Sequence, residues 1–106
     1  MIEVNESDWK LFRKKIDVWQ EAYMDRLNRE YMAILTGSGS ASDKFWRLEK
    51  RIRRDKNDVG VIVDMRRSMM YENLISLMNE GAITLDDLDG FSEDLREKMA
   101  FLFRNA

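Results

Sequence analysis

The basic side chains around Trp46 are the residues of this chain whose type and spacing best fit a function. Residues 44–67 carry nine basic and four acidic side chains, although the net charge of the whole chain is only −2. Lys50 and Arg53 follow Trp46 at helical spacing. An indole among cations can stack on a base or lie against an acidic protein, while the cations bind phosphates or carboxylates. The predicted partner-binding residues are Trp46, Lys50, Arg51, Arg53 and Arg54, extended by Arg66 and Arg67.

The same residues also fit a purely structural role, and that alternative stays open. Trp46 can form the rim of the core, with arginine stems covering its indole. The cations can form a solvated face or pair with the acidic C-terminal third of the chain. If they do bind a partner, an acidic protein and a nucleic acid are both compatible with the pattern.

No group of residues in the sequence indicates catalysis. The chain has no Cys and no His, which excludes disulfides, thiolate and imidazole metal ligands, and the common nucleophile pairs. A calcium loop around Gly90 fails, because Leu85 and Arg96 would occupy its first and twelfth positions. The acidic residues nearby are typical of caps at helix N-termini. We therefore expect a protein that is not an enzyme and that needs no metal and no cofactor.

Nothing in the sequence indicates secretion or a membrane span. Residues 1–6 lack the basic and apolar regions of a signal peptide, and the apolar runs are all short. With 106 residues, 44% of them hydrophobic, the chain can build one core. We predict a single domain over residues 1–106 that is cytoplasmic and does not enter a membrane.

The elements that position the basic residues are predicted to be helices. Apolar residues recur at steps of three and four from Trp9 to Ile34, which predicts one long helix over residues 8–35. Asn5 or Ser7 can cap its start, and Gly37 can end it in the left-handed conformation. Its repeating residues are Trp9, Phe12, Ile16, Trp19, Tyr23, Leu27, Tyr31 and Ile34.

Two further helices are predicted after a flexible Gly/Ser linker at residues 36–42. The first covers residues 43–56, with Phe45, Leu48 and Ile52 as its core stripe. The second covers residues 59–80 and is apolar on two sides. Whether these two helices are continuous stays open, because Gly60 allows either a break or a kink.

The C-terminal segment is predicted to form a helical hairpin. Gly81 suits a left-handed helix end, and Thr84 with Asp87 matches a capping box. Gly90 stops this turn, and a last helix over residues 93–103 follows Ser92. Its predicted buried residues are Leu95, Met99, Leu102 and Phe103. Together these elements predict an all-α fold with no sheet.

The length of the first helix raises the question of a homodimer. About 28 residues make a helix of about 42 Å, whereas a compact globule of this size is about 33 Å wide. An overhang would expose part of the aromatic stripe to water. Either a second copy covers it, giving a homodimer through this helix, or the chain's other helices do; the sequence leaves both open.

Residues 74–88 resemble the helical-hairpin module of bacterial proteins known as SHOCT. The pattern of that module runs helix, Gly, any residue, Ile-Thr, two residues, an acid and Leu or Phe. Here it is matched by Gly81, Ile83-Thr84, Asp87 and Leu88. The resemblance implies a short C-terminal helical hairpin.

The chain as a whole is similar to small helical proteins carried by bacterial prophages and conjugative elements, on residues 45–50 and 91–95. This resemblance implies an accessory function, such as inhibition of a host defence nuclease in the manner of anti-CRISPR proteins. Together with the basic face it gives the expected function, a non-catalytic protein that binds or occludes a macromolecular partner. The alternative is a nucleic-acid-binding accessory or regulatory protein that uses the same face.

Overall fold

Four α-helices and two short 3-10 turns make up the fold, and no strand occurs within residues 3–103, which the computed structural model describes. The helices are α1 (Glu6–Thr36), α2 (Ala41–Asp55), α3 (Met70–Asn79) and α4 (Glu93–Phe103), and the 3-10 turns are Arg67–Met69 and Leu85–Leu88. The prediction of an all-α fold with a long N-terminal helix is confirmed.

The two ends of α1 lie close to the predicted positions, but only the N-terminal cap has the predicted conformation. The Asn5 side chain accepts hydrogen bonds from the backbone N–H groups of Ser7 and Asp8, as expected for an N-cap. Gly37 is the C-cap of α1, as predicted, but its φ is −79°, so the predicted left-handed conformation is wrong. The positive φ falls instead on Gly39, at 125°. The connection between α1 and α2 is short, and α2 begins after Ser40. The Ser40 hydroxyl caps α2 by accepting from the N–H of Asp43.

The two halves of α1 pack against different parts of the chain. The molecule measures 51 × 28 × 22 Å, and the 31 residues of α1 span most of its length, about 46 Å. The N-terminal half packs on α3 and α4, and α2 folds back beside the C-terminal half. The aromatic stripe is thus covered by the chain's own helices, with Tyr31 and Ile34 half-buried at its end.

The hydrophobic core lies between the N-terminal half of α1, α3, α4 and the second 3-10 turn. Apolar burial of this kind is the main favourable contribution to folding. The core residues are Phe12, Ile16, Trp19, Met70, Tyr71, Leu74, Leu77, Ile83, Leu88, Phe91, Leu95 and Met99. The core holds no residue of α2, so α2 lies outside it.

The predicted helix over residues 59–80 is wrong in its first half. Residues 56–66 form a loop, so α2 and α3 are separate helices. Side chains from elsewhere satisfy the backbone of this loop: the Glu80 carboxylate accepts from the N–H groups of Val59 and Gly60 at 2.9 and 3.0 Å. Gln20 Nε2 donates to the carbonyl of Val59 at 2.9 Å. Because these groups already have partners, the loop loses nothing by leaving the helical conformation.

The C-terminal hairpin forms as predicted. Gly81 and Gly90 have φ of 75° and 91°, and the Thr84 N–H donates to Asp87 Oδ2 at 2.7 Å. The Ser92 hydroxyl caps α4 by accepting from the N–H of Leu95. Of the residues predicted to be buried on α4, Leu102 is exposed, whereas Leu95 and Met99 are buried and Phe103 packs against the core.

A buried carboxylate joins α1 to the start of α4. Asp8 is 2% exposed, and its two oxygens accept from the N–H and the hydroxyl of Ser92 at 2.7 and 2.6 Å. Both carboxylate oxygens therefore have a donor, as burial of a charged group requires.

Candidate interaction surface

A cluster of polar side chains holds α2 against α1. Asp55 is 3% exposed and accepts from the Tyr31 hydroxyl at 2.7 Å and from Arg54 Nε at 3.1 Å. Arg51 donates to Glu30 at 2.7 Å and lies 3.4 Å from Asp55. Its guanidinium also stands over the Tyr31 ring, 5.6 Å from the ring centre. We refer to these five residues as the Asp55 latch.

The latch shifts the pKa values of Asp55 and Tyr31 in opposite directions. Burial alone would raise the pKa of Asp55, but the hydrogen bonds from Tyr31 and Arg54 and the charges of Arg51 and Arg54 outweigh it, so this pKa is lowered. Burial and the hydrogen bond to the Asp55 carboxylate raise the pKa of Tyr31 to about 12. At neutral pH the carboxylate is therefore ionised and the phenol keeps its proton.

The predicted contact arginines are engaged within the chain. Arg51 and Arg54 belong to the latch, and Arg53 pairs with Glu49 one turn earlier. Their positions on α2 agree with the sequence pattern, but each has a carboxylate partner within the chain. An arginine that already binds a carboxylate is less available to a partner, since that pair must first be broken.

The structure separates Arg66 and Arg67 from the other predicted contact residues. Arg66 pairs with Asp64. Arg67 donates to Glu6 and to the carbonyl of Val4, at the N-terminal end of α1. Glu6 and the latch residue Tyr31 are 25 residues apart on α1, about 37 Å along the helix. Arg67 is therefore far from α2 and does not extend its basic face.

Trp46 and Lys50 lie open on α2. Trp46 is 63% exposed, and the ring of its neighbour Phe45 lies edge-on to it at 5.0 Å. The side chains of four cations on α2 and at its C-terminal end make no hydrogen bond or ion pair with any residue between 3 and 103. They are Lys44, Arg47, Lys50 and Lys56.

The apolar stripe predicted as the core side of α2 is instead largely exposed. Phe45 is 61% and Ile52 43% exposed, and with Leu48 they line an open groove of about 510 Å³. Beyond Ile52 this groove adjoins a depression between α2 and α1. We call the combined surface the α2 groove; its apolar lining is Met24, Leu27, Phe45, Leu48, Ile52 and Val61.

The length of α1 explains why the stripe is exposed. The 10 residues of α3 and 11 of α4 form helices of about 15 and 17 Å, which cannot cover a helix three times as long. The four-residue connection places α2 on the overhanging part of α1, where α1 is its main neighbouring helix. The mismatch between helix length and domain width is the sequence signal for this surface, although for α1 alone it raises only the question of a dimer.

The described residues offer no metal site and no membrane-spanning helix. Within residues 3–103, no group of three or more acidic side chains is placed to hold a metal ion. None of the helices in this range is both long and apolar enough to cross a membrane. The most distinctive surface of the described chain is therefore the α2 groove with its basic border.

Comparison of the chain with known proteins gives no relative. No protein-family model, no curated protein and no solved structure matches it. Its function is therefore inferred from its own residues.

Proposed function

We propose that the protein is a non-catalytic interaction protein that binds a macromolecular partner through α2. The observation that carries this proposal is the exposure of Phe45, Trp46 and Ile52 on one helix, at 43–63% of their side-chain surface. Large apolar side chains grouped on a surface and bordered by charges are typical of interaction sites. Aromatic residues in particular supply much of the binding energy of protein interfaces.

The position of α2 supports binding by occlusion. α2 lies on the overhanging half of α1 and contributes nothing to the hydrophobic core. A partner can therefore cover α2 without disturbing the rest of the fold. We propose to test a host defence nuclease first, because that is the partner which the sequence resemblance to small proteins of mobile elements implies.

Photo-cross-linking from α2 tests the proposed function. With Trp46 replaced by the photoreactive amino acid p-benzoylphenylalanine, we expect irradiation of cells to give a discrete adduct of higher mass. Mass spectrometry then identifies the partner, and a nuclease subunit would support the role of an inhibitor. Val18, 67% exposed on α1 and outside the groove, is the matched control position. An absence of adducts from Trp46, or the same adducts from both positions, would rule out a specific role for α2.

Nucleic-acid binding is the second candidate, and the group of Trp46, Arg47 and Lys50 favours it. All three are exposed on α2, and the two cations have no partner among residues 3–103. Such a group can bind phosphates and stack on a base.

Fluorescence anisotropy with labelled duplex DNA, single-stranded DNA and RNA tests this role. Binding through phosphates should weaken steeply with salt, and replacing Arg47 and Lys50 by Glu should abolish it. Binding that is insensitive to both would exclude it.

A further inference from the structure

We infer that the occupant of the α2 groove is an amphipathic α-helix of a partner protein, with acidic residues bordering its apolar face. This inference rests on the proposed function and specifies the chemistry of the partner. The groove runs beside α2, whose 15 residues make it about 22 Å long. It is therefore matched to three or four turns of a partner helix, which would pack its apolar side chains into the space between α1 and α2.

The apolar floor of the groove favours a protein over a nucleic acid. The larger part of the groove is lined by Phe45, Leu48 and Ile52, and its continuation by Met24, Leu27 and Val61. Apolar side chains such as these gain little from phosphate or sugar, but they gain about 25 cal/mol for each Å² of apolar surface that a partner covers.

The charge at the border of the groove selects an acidic partner. Residues 41–56 carry seven basic and three acidic side chains. Glu49 and Asp55 pair with Arg51, Arg53 and Arg54, and the remaining cations leave this segment with an excess of positive charge. Of the four unpaired cations, Lys44 and Lys56 lie beside the apolar stripe and Lys56 lines the groove, whereas Arg47 and Lys50 lie on the opposite side of α2. A partner with acidic borders would therefore meet complementary charge.

The same charge argues against a second copy of this chain as the occupant. An isologous dimer brings the same patch of two molecules together, so the unpaired cations of both α2 helices would face one another. Juxtaposed like charges cost free energy and suppress association. Self-association through the groove is therefore an outcome that the test has to exclude.

Designed peptides test the inference directly. The probe is a fluorescein-labelled helical peptide of about 18 residues with leucines on one face and glutamates bordering it. One control peptide carries lysines in place of the glutamates, and a second has the same composition in scrambled order. We expect the acidic peptide to bind at least about tenfold more tightly than either control, as measured by fluorescence anisotropy.

Matched variants locate the binding site. Ile52→Asp should weaken binding of the acidic peptide by at least about tenfold, whereas Val18→Asp, at a more exposed aliphatic position outside the groove, should leave it unchanged. Replacing Lys44 and Lys56 together by Gln should remove the preference for the acidic over the basic peptide. Circular dichroism checks that each variant keeps its helical content.

Several results would overturn the inference. They are equal binding of acidic and basic peptides, no binding of the acidic peptide at millimolar concentration, and a dimer in light scattering that Ile52→Asp dissociates. If the peptides fail while cross-linking from Trp46 still yields a protein adduct, the inference is wrong and the proposed function stands. If cross-linking fails as well, both are wrong. Adducts with nucleic acid alone would favour the second candidate function instead.

Discussion

Replacement of Gly60 by alanine is expected to destabilise the protein by about 3 kcal/mol, at the upper end of the cost of overpacking. A Cβ at this buried position would lie 2.2 Å from Cδ2 and 2.6 Å from Cγ of Tyr23. The ring cannot easily move away, because Tyr23 is 6% exposed and its hydroxyl donates to Asp58 at 2.6 Å. Denaturant unfolding followed by circular dichroism measures the loss.

A double-mutant cycle separates this clash from other effects of the substitution. In a Tyr23→Ala background the ring is absent, so Gly60→Ala should cost much less than it does in the wild-type protein. Tyr23→Ala itself removes packing and the hydrogen bond to Asp58, so both single variants are destabilised. An equal cost of Gly60→Ala in the two backgrounds would contradict the proposed clash, because the loss of stability would then not depend on the Tyr23 ring.

The sequence predicts those elements whose determinants are local. The stripe from Trp9 to Ile34 repeats at helical spacing and is one continuous helix in the structure. Gly81 and Gly90 stand where the chain needs a positive φ, and Thr84 begins its turn with Asp87 as a capping partner. In each case the residues that decide the conformation lie within a few positions of one another.

The loop over residues 56–66 could not be predicted, because distant residues decide its conformation. Its backbone donates to Glu80, which is 20 residues away from Gly60, and accepts from Gln20, which is 39 residues away from Val59. Gly60 itself lies against Tyr23 of α1. The apolar spacing in this segment is compatible with a helix, and tertiary contacts override it.

The interaction surface was predictable in its charge but not in its arrangement. The basic residues are on α2, as the sequence indicates, but only the structure shows that Glu30, 21 positions before Arg51, pairs with it. The apolar stripe of α2 was predicted to be buried because helical spacing identifies an apolar side without showing what covers it. Here the lengths of α1, α3 and α4 leave it uncovered.

Removal of the Asp55 carboxylate is the second change with a large expected effect. Asp55→Ala should lower the free energy of unfolding by about 2 to 3 kcal/mol, because it leaves the Tyr31 hydroxyl without its acceptor and Arg51 with Glu30 as its one carboxylate partner among the described residues. This loss of stability is smaller than the loss expected on breaking a fully buried ion pair, because Arg51 and Arg54 keep 24% and 69% of their side chains exposed. Denaturant unfolding measures the loss, and hydrogen exchange should show faster opening of α2 than of α4.

The effect of Asp55→Ala should also depend on pH. The folded-state pKa of Asp55 is lowered, so its contribution to stability is complete above the usual carboxylate pKa of about 4 and is lost as the pH falls through the folded value. The stability difference between wild type and variant should therefore be constant near neutral pH and should shrink in acid. A difference that grows as the pH falls would mean that the carboxylate does not stabilise the fold as an anion.

An exposed ion pair provides the matched control for the Asp55 latch. Asp25 and Arg29 lie 3.0 Å apart on α1, each with 68% of its side chain exposed, so Asp25→Ala should cost less than about 0.5 kcal/mol. If Asp55→Ala costs no more than this, the latch does not hold α2 against α1. In that case α2 would not be held in one position. The groove would then have no fixed shape, because its lining residues Leu48 and Ile52 lie on α2. If the latch does hold, Asp55→Ala should weaken binding of the acidic peptide even though it removes a negative charge from the lining of the groove, since the partner must then also order α2.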